Sequence, residues 1–304
     1  MIVACPFINR GLKTHEVWLH NFQRVRMPRS EMKLLFVDMA KDDEITALFK
    51  KYIAEHGNEW KSVDYIKDPP KKYADVAESP RKDEQRELFL TKRFTVAETL
   101  QIINQWRKDN GGGGIVFFED DIAVPENAYE RMLPELKGDV WSVGGVQCPR
   151  MKTWHEGKAL LIWNLDEGHV IRNIHYKQEK ETGTDYFTST ATGFQIYSGE
   201  FLDKHDFPCN EFWGQDIFAG ISIRNLGKKL AVCWDIKFVH FEHLGTEQAL
   251  IFKSYQCKTP LYDTDGTDLT LNPALEYKVP ESNKGKRRIN VGKASPHYIY
   301  ENRL

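Results

Sequence analysis

The sequence predicts an α/β fold built on a mostly parallel sheet, and three observations predict it. Short apolar runs alternate with helical periodicity through the first two thirds of the chain. The apolar run Ile115-Val116-Phe117-Phe118 is short enough for a buried strand and ends directly in Glu119-Asp120-Asp121. Open α/β sheets bind their ligands outside the carboxyl ends of their strands, so this junction is where a site is expected.

Taken in order, residues 2–5 read as the first strand, ended by Pro6, and residues 33–37 as the second. An amphipathic helix follows. Ile45, Leu48, Phe49, Tyr52 and Ile53 recur at helical spacing, Asp42, Asp43 and Glu44 suit its N-terminus, and Gly57 closes it. Residues 67–92 are charged, contain Pro69, Pro70 and Pro80, and read as a loop. A second helix carries Val96, Leu100 and Ile103 and stops before the glycines at 111–114. After the acidic triplet, Pro125 opens a helix with Tyr129, Met132, Leu133 and Leu136 on one face. Residues 140–146 form a further strand, and 154–190 read as loops or antiparallel hairpins. A strand at 194–197, a helix at 199–204 and a helix at 216–226 ended by Gly227 come next. Strands at 230–234 and 236–241 and a last helix at 246–255 complete the domain. The reading divides the chain into a domain of residues 1–250, with halves at 1–125 and 126–250, and a C-terminal extension of residues 251–304.

The chain has 304 residues, 41% hydrophobic and 28% charged, with a formal net charge of −2, which excludes a global electrostatic drive toward nucleic acid or membranes. No run approaches the roughly 18 apolar residues of a membrane span. The first residues lack the basic region and long apolar core of a signal peptide. The five cysteines, Cys5, Cys148, Cys209, Cys233 and Cys257, are dispersed without a CxxC pair, which disfavours a disulfide framework and suits a reducing compartment. The expectation is a soluble, cytoplasmic protein.

Three features carry chemistry. Adjacent acids repel and raise one another's pKa unless something neutralises them. A hard divalent cation such as Mg²⁺ or Mn²⁺ does so and shares its shell with substrate phosphates. The plainer alternative is a solvated turn capping the next helix. The second feature, Phe212-Trp213-Gly214-Gln215-Asp216, opens a helix. Asp216 is either a general base for an acceptor hydroxyl or an N-cap. Trp213 offers a face for a sugar ring, and Gly214 permits close approach. The third, Val239-His240-Phe241-Glu242-His243, alternates as a strand. His240 is either a metal ligand or an ordinary core histidine. The spacing is not HExxH, so a zinc protease is discounted.

With these residues in hand, residues 1–245 resemble the GT-A-fold glycosyltransferases, closest to the family 2 type. The resemblance implies a Rossmann-like, mostly parallel sheet flanked by helices, with a smaller antiparallel acceptor-side portion. Pro6, Phe7, Asn9 and Arg10 resemble the family's first nucleotide-contacting loop, and Phe36-Val37-Asp38 resembles its next turn, which implies that Asp38 contacts base or ribose. Met39-Ala40-Lys41 replaces the usual small-residue turn there. Glu119-Asp120-Asp121 resembles the D-x-D signature, with Glu in the first place. That implies Asp121 as metal ligand, Glu119 facing the ribose or the metal's waters, and Asp120 beside the donor. Gly193, in Thr192-Gly193-Phe194, falls on the acceptor side. Trp213-Gly214-Gln215-Asp216, with Arg224 and Gly227 downstream, is similar to the family's G-E-D segment, Gln215 replacing Glu. The match implies Asp216 as base in an inverting reaction, or as the residue that holds the acceptor if the reaction retains configuration, and His240 as the histidine completing the metal shell.

The resemblance thus implies a UDP- or GDP-type sugar donor, Mn²⁺ or Mg²⁺, and an acceptor whose nature, glycan, small molecule or polymer, stays open. Lys92 and Arg93 are candidates for diphosphate contact, or are solvated charges before a helix. The rivals are a nucleotidyltransferase attacking phosphorus, a non-catalytic nucleotide-sugar or glycan binder, and an anionic polymer such as DNA as acceptor. The last rests on the basic run Lys284 to Arg288.

Overall fold

The structure is a computed structural model. It describes residues 1–67, 84–149, 159–165, 171–209, 214–245 and 249–277, with backbone alone for 84–94 and 171. The elements run β1 (Ile2–Phe7), α1 (Leu12–Arg24), β2 (Lys33–Asp38), α2 (Asp43–His56), β3 (Ser62–Lys67), α3 (Glu84–Asp109), β4 (Ile115–Phe118), β5 (Ile122–Ala123), α4 (Ala128–Met132) and β6 (Val140–Val146). They continue with β7 (Ala159–Leu165), β8 (Ile171–His175), β9 (Thr184–Phe187), β10 (Ser189–Thr190), β11 (Phe194–Tyr197), α5 (Gly199–Leu202), α6 (Gln215–Asn225), β12 (Lys229–Lys237), β13 (Val239–Glu242) and β14 (Leu250–Lys253). Among the described residues no helix is long and apolar enough to cross a membrane.

An eight-stranded sheet in the order β3-β2-β1-β4-β11-β6-β12-β9 forms the middle layer. The ladders β3/β2, β2/β1, β1/β4 and β12/β6 are parallel, and β11 and β9 run against their neighbours. Two three-stranded antiparallel sheets, β10-β7-β8 and β14-β13-β5, flank it. The central strands are apolar on both faces, as a sheet covered by helices on both sides requires. Val3, Cys5 and Phe7 of β1 turn to the layer of α1 and α2 and join a core containing Trp18, Phe22, Phe36, Phe49 and Phe118. Ile2 and Ala4 turn the other way, toward Leu100 and Ile103 of α3, Phe201 of α5 and Ala219 and Ile223 of α6.

Several elements differ from the sequence expectation. Helix α1 has no counterpart in it, because its N-terminal residue Gly11 offers no side-chain cap, its first turn has no acid, and its buried stripe includes Thr14, His15 and Asn21. Strand β3 has no counterpart in the sequence expectation either. Helix α3 begins at Glu84, inside the segment read as a loop; its charged residues are the straight-chain kinds that helices tolerate well. Residues 250–253, expected as helix, are a strand paired with β13. A short apolar run is ambiguous in sequence, and an available strand edge decides it. The helix after Pro125 starts only at Ala128, and β12 runs on to Lys237, so the break before β13 falls at Phe238.

Residues beyond 250 join the same body. Asn21 of α1 donates to the Tyr262 carbonyl at 2.7 Å and accepts from the Tyr262 amide at 3.0 Å, and Leu261 is fully buried. The basic run at 284–288 lies outside the described residues.

Candidate active site

The sheet opens at one place. Strand β1 pairs with β4 only from Ile2 to Ala4, whereas its ladder with β2 continues to Phe7. Pro6, which carries no N–H to donate, falls in the part of β1 beyond the β4 ladder. Chain order also reverses here: β2 and β3 build outward on one side of β1, and β4 opens the other. This is the switch-point crevice in which α/β sheets bind ligands. Ile8-Asn9-Arg10 enters it from β1, and Glu119-Asp120-Asp121 from β4.

Inside the crevice, Asp120 and Asp121 are almost wholly buried. Asp120 accepts from the Ile8 amide at 2.9 Å and from Arg10 Nε at 2.6 Å, and His15 Nε2 lies 3.1 Å away. Arg10 Nη1 reaches Asp121 Oδ2 at 2.9 Å. Burial works to raise the Asp120 pKa, but the charge of Arg10 and the hydrogen bond and charge of His15 outweigh it and hold the carboxyl below its ordinary value. Burial likewise works against the Arg10 charge, and Asp120 and Asp121 reverse the effect, raising its pKa.

Asp121 and His240 meet through the backbone. Strand β13 pairs with β5 so that His240 stands opposite Ile122, and the Phe241 amide donates to the Asp121 carbonyl at 2.9 Å. His240 Nε2 then lies 3.2 Å from Asp121 Oδ2, while Nδ1 is 3.3 Å from the Cys148 carbonyl and 3.3 Å from the Gln147 carboxamide. In the tautomer with the proton on Nδ1, the ring donates to the Cys148 carbonyl and leaves the Nε2 lone pair for a cation beside Asp121; with the proton on Nε2, the ring donates to Asp121 and accepts from Gln147.

Glu119 faces β11. Thr192 Oγ1 donates to it at 3.1 Å, its amide donates to the Gly193 carbonyl at 2.8 Å, and Trp18 Nε1 donates to its carbonyl at 2.7 Å. Gly193 has a steric reason: a Cβ there would lie 2.5 Å from Gln147 Oε1 and 2.9 Å from Ile122 Cγ1. Its role is to let Gln147 lie against His240.

Asp216 is half-buried in the first turn of α6, whose N-cap is Gly214. The N-cap alternative for Asp216 is therefore excluded. Its carbonyl accepts from Ser189 Oγ at 2.7 Å, and Gly220 lets α6 approach the Thr188 carbonyl so closely that a Cβ would clash. The buried Tyr197 phenol, which donates to Gln195 Oε1 at 3.0 Å, is pushed up first by burial and then by the charges of Asp216 and Glu119. Gln215 is buried beside Asp216.

Several expected donor contacts take other roles. Pro6 and Phe7 are buried in β1, and the Phe7 ring stacks on Phe49 with centroids 3.6 Å apart, so the Phe7 side chain is turned into the core. Asp38 is fully buried and accepts from the Ala40 amide at 2.8 Å, Thr46 Oγ1 at 2.7 Å and the Tyr65 hydroxyl, with Lys67 Nζ at 3.1 Å. Its carboxylate fixes the turn after β2 and is spent inside the protein. Asn9 remains exposed at the rim, its Oδ1 accepting from the Lys41 and Asp42 amides at 2.9 and 3.2 Å. Trp213 lies outside the described residues, as do the side chains of Lys92 and Arg93. His15 and Gln147 were not anticipated; single polar residues in apolar stretches give a sequence no mark of their partners.

The residues fit a divalent cation. Cis ligands about 2.1 Å from an octahedral Mg²⁺-like ion stand about 3.0 Å apart, and Asp121 Oδ2 and His240 Nε2 are 3.2 Å apart. The carbonyl on Nδ1 is the partner that orients metal-binding histidines. Among the described residues no group of three or more His, Cys, Asp or Glu side chains could hold a metal ion. The remaining ligands would then be water and substrate phosphate, which Mg²⁺-type ions accept readily.

No family model matches the sequence, and no curated protein matches it. Structures of known proteins do. GalNAc-T7, whose structure contains UDP, GalNAc and Mn²⁺, has a TM-score of 0.51 at 14% identity over 79% of this chain and 43% of its own. Mannosyltransferase PcManGT from Pyrobaculum calidifontis, in complex with GDP-Man and Mn²⁺, has a TM-score of 0.47 at 17% identity over 76% of this chain and 55% of its own. TarS from S. aureus, in complex with UDP-GlcNAc, has a TM-score of 0.44 at 14% identity over 77% of this chain and 56% of its own. The chain thus spans little more than half of these proteins, or less. At such identities the likeness shows the fold alone, and that fold, a mostly parallel sheet between helices with small antiparallel sheets beside it, is the GT-A fold of glycosyltransferases.

Proposed function

We propose that the chain is a metal-dependent glycosyltransferase that moves a sugar from a nucleoside-diphosphate sugar to an acceptor hydroxyl. The observation that carries this reading is the Asp121–His240 pair, 3.2 Å apart at the switch point of a GT-A sheet. Asp121 and His240 would hold Mn²⁺ or Mg²⁺. When bound, that ion supplies neutralising charge for a leaving diphosphate. Asp120 holds Arg10 at the same crevice, where the guanidinium adds positive charge for an anionic donor. Glu119, oriented by Thr192, takes the donor-side position, and Asn9 offers a rim contact for the nucleotide.

Asp216 serves as general base. It takes the proton of the acceptor hydroxyl as that oxygen attacks the anomeric carbon, and the departing diphosphate leaves from the opposite face, so the configuration inverts. Gly214 and Gln215 shape the acceptor side next to it. Screening nucleotide sugars with Mn²⁺ by thermal shift tests the reading, because a ligand that binds only the folded state raises its apparent stability. One UDP- or GDP-linked sugar should raise the melting temperature in a Mn²⁺-dependent way, and Asp121→Asn should abolish that shift. A panel with no Mn²⁺-dependent shift would count against it.

A further inference from the structure

Resting on that reading, we infer that Arg10 couples the two halves of donor recognition: it is the counter-charge of Asp121 until a divalent cation binds, and then turns its free fork to the diphosphate. The geometry is that of a hinged clamp. Arg10 Nε is anchored on Asp120 Oδ1 at 2.6 Å, and Asp120 is itself fixed by the Ile8 amide at 2.9 Å and by His15 at 3.1 Å. The other end, Nη1, rests on Asp121 Oδ2 at 2.9 Å, the same oxygen that faces His240 Nε2 at 3.2 Å.

A cation chelated by Asp121 and His240 shares that oxygen with the guanidinium. Two positive centres on one buried oxygen repel strongly, because little water screens them. Arg10 gives way at Nη1 and keeps Nε, since Asp120 does not ligate the ion. The side chain is 14% exposed, so the guanidinium is not sealed in the core and a ligand in the crevice has access to it. A guanidinium fork freed there matches phosphate oxygens in a bidentate way. Cation and diphosphate therefore bind with positive coupling, and the free cation alone binds weakly because it must displace Arg10.

Calorimetric titration of the full chain tests this, with Mn²⁺ alone and then with UDP and with GDP at saturating Mn²⁺. Arg10→Gln should bind Mn²⁺ alone about tenfold more tightly than wild type and the nucleotide about tenfold more weakly, a coupling of ordinary size. Arg10→Lys, which keeps the charge but lacks the fork, should retain the weak Mn²⁺ binding and lose nucleotide affinity. Weaker binding in both titrations of a folded Arg10→Gln would mean that Arg10 merely supports the carboxylates, and would overturn the coupling. Equal Mn²⁺ affinity in wild type and Arg10→Gln would overturn it as well, leaving the glycosyltransferase reading untouched. No Mn²⁺ binding in either protein would overturn the metal site itself.

Discussion

Asp121 and His240 face each other because two backbone contacts put them there, the His240–Ile122 register and the amide of Phe241 on the Asp121 carbonyl. Changing either side chain should therefore alter the site while leaving the strands paired. His240→Ala should weaken Mn²⁺ binding at least about tenfold, measured by manganese EPR in the presence of nucleotide, and unchanged binding would remove His240 from the ligand set. Gly193→Ala places a Cβ 2.5 Å from Gln147 Oε1, so Gln147 must move off His240. Overpacking of that kind costs about 1–3 kcal/mol, and donor turnover should fall about tenfold; wild-type turnover would show that Gln147 has no part in orienting His240. At this scale the sequence disclosed charges that cluster and concealed residues that orient them. Three consecutive acids after an apolar strand draw attention, whereas His15 and Gln147 acquire meaning only when β1, β4, β6 and β13 converge. Asp38 misled for the reverse reason: an acid at a strand end reads as a ligand contact, and only Thr46, Tyr65 and Lys67 around it reveal a buried turn-holder.

Helix α1 is the element that supports the site from below. Trp18, wholly buried, donates from Nε1 to the Glu119 carbonyl at 2.7 Å, and His15, one turn earlier, faces Asp120. Trp18→Phe leaves that carbonyl without its donor and should cost about 1–3 kcal/mol in urea unfolding, with Mn²⁺ affinity reduced too. An unchanged midpoint would mean that α1 is held by its apolar face alone. The same helix is tied to the end of α2 through Glu59, which accepts from Gln23 at 2.9 Å, His56 at 2.7 Å and Arg29 at 2.9 Å. Burial works to raise the Glu59 pKa, but the His56 and Gln23 hydrogen bonds and the Arg29 charge prevail and lower it. A carboxyl with a depressed folded pKa stabilises above its unfolded value, about 4.3 for Glu, and loses that contribution as pH falls through the folded value. Glu59→Gln should thus lower stability at pH 7 by about 0.5–1 kcal/mol, given its partial exposure, and the gap to wild type should close in acid. A gap independent of pH would assign the loss to packing. Helix α1 escaped the sequence reading because Gly11 gives no capping signal and polar residues interrupt its apolar stripe. Strand β14 escaped because a four-residue apolar run takes its conformation from the β13 edge beside it.

Across the whole molecule, one sheet order explains why residues far apart in sequence converge. β1 and β4 part beyond Ala4, α6 is drawn onto β10 at Gly220, and β13 folds back on β5. Those three arrangements bring Arg10, Asp121 and His240 together and hold α6, with Asp216 in its first turn, against β10. The architecture was legible because alternating strand and helix periods mark buried strands and their covering helices whatever the individual side chains, and a sheet with a switch point dictates where chemistry sits. The antiparallel segments were harder to read, since their pairing is set by partners remote in sequence. Product analysis after incubating the protein with the sugar nucleotide chosen by thermal shift, Mn²⁺ and an acceptor pool measures the proposed transfer itself. A glycosyltransferase built on this site releases nucleoside diphosphate and a glycosylated acceptor, both lost in Asp121→Asn, with acceptor transfer also lost in Asp216→Asn while Mn²⁺ binding persists. Release of pyrophosphate, or a nucleotide sugar bound and returned intact by wild-type protein, would contradict it.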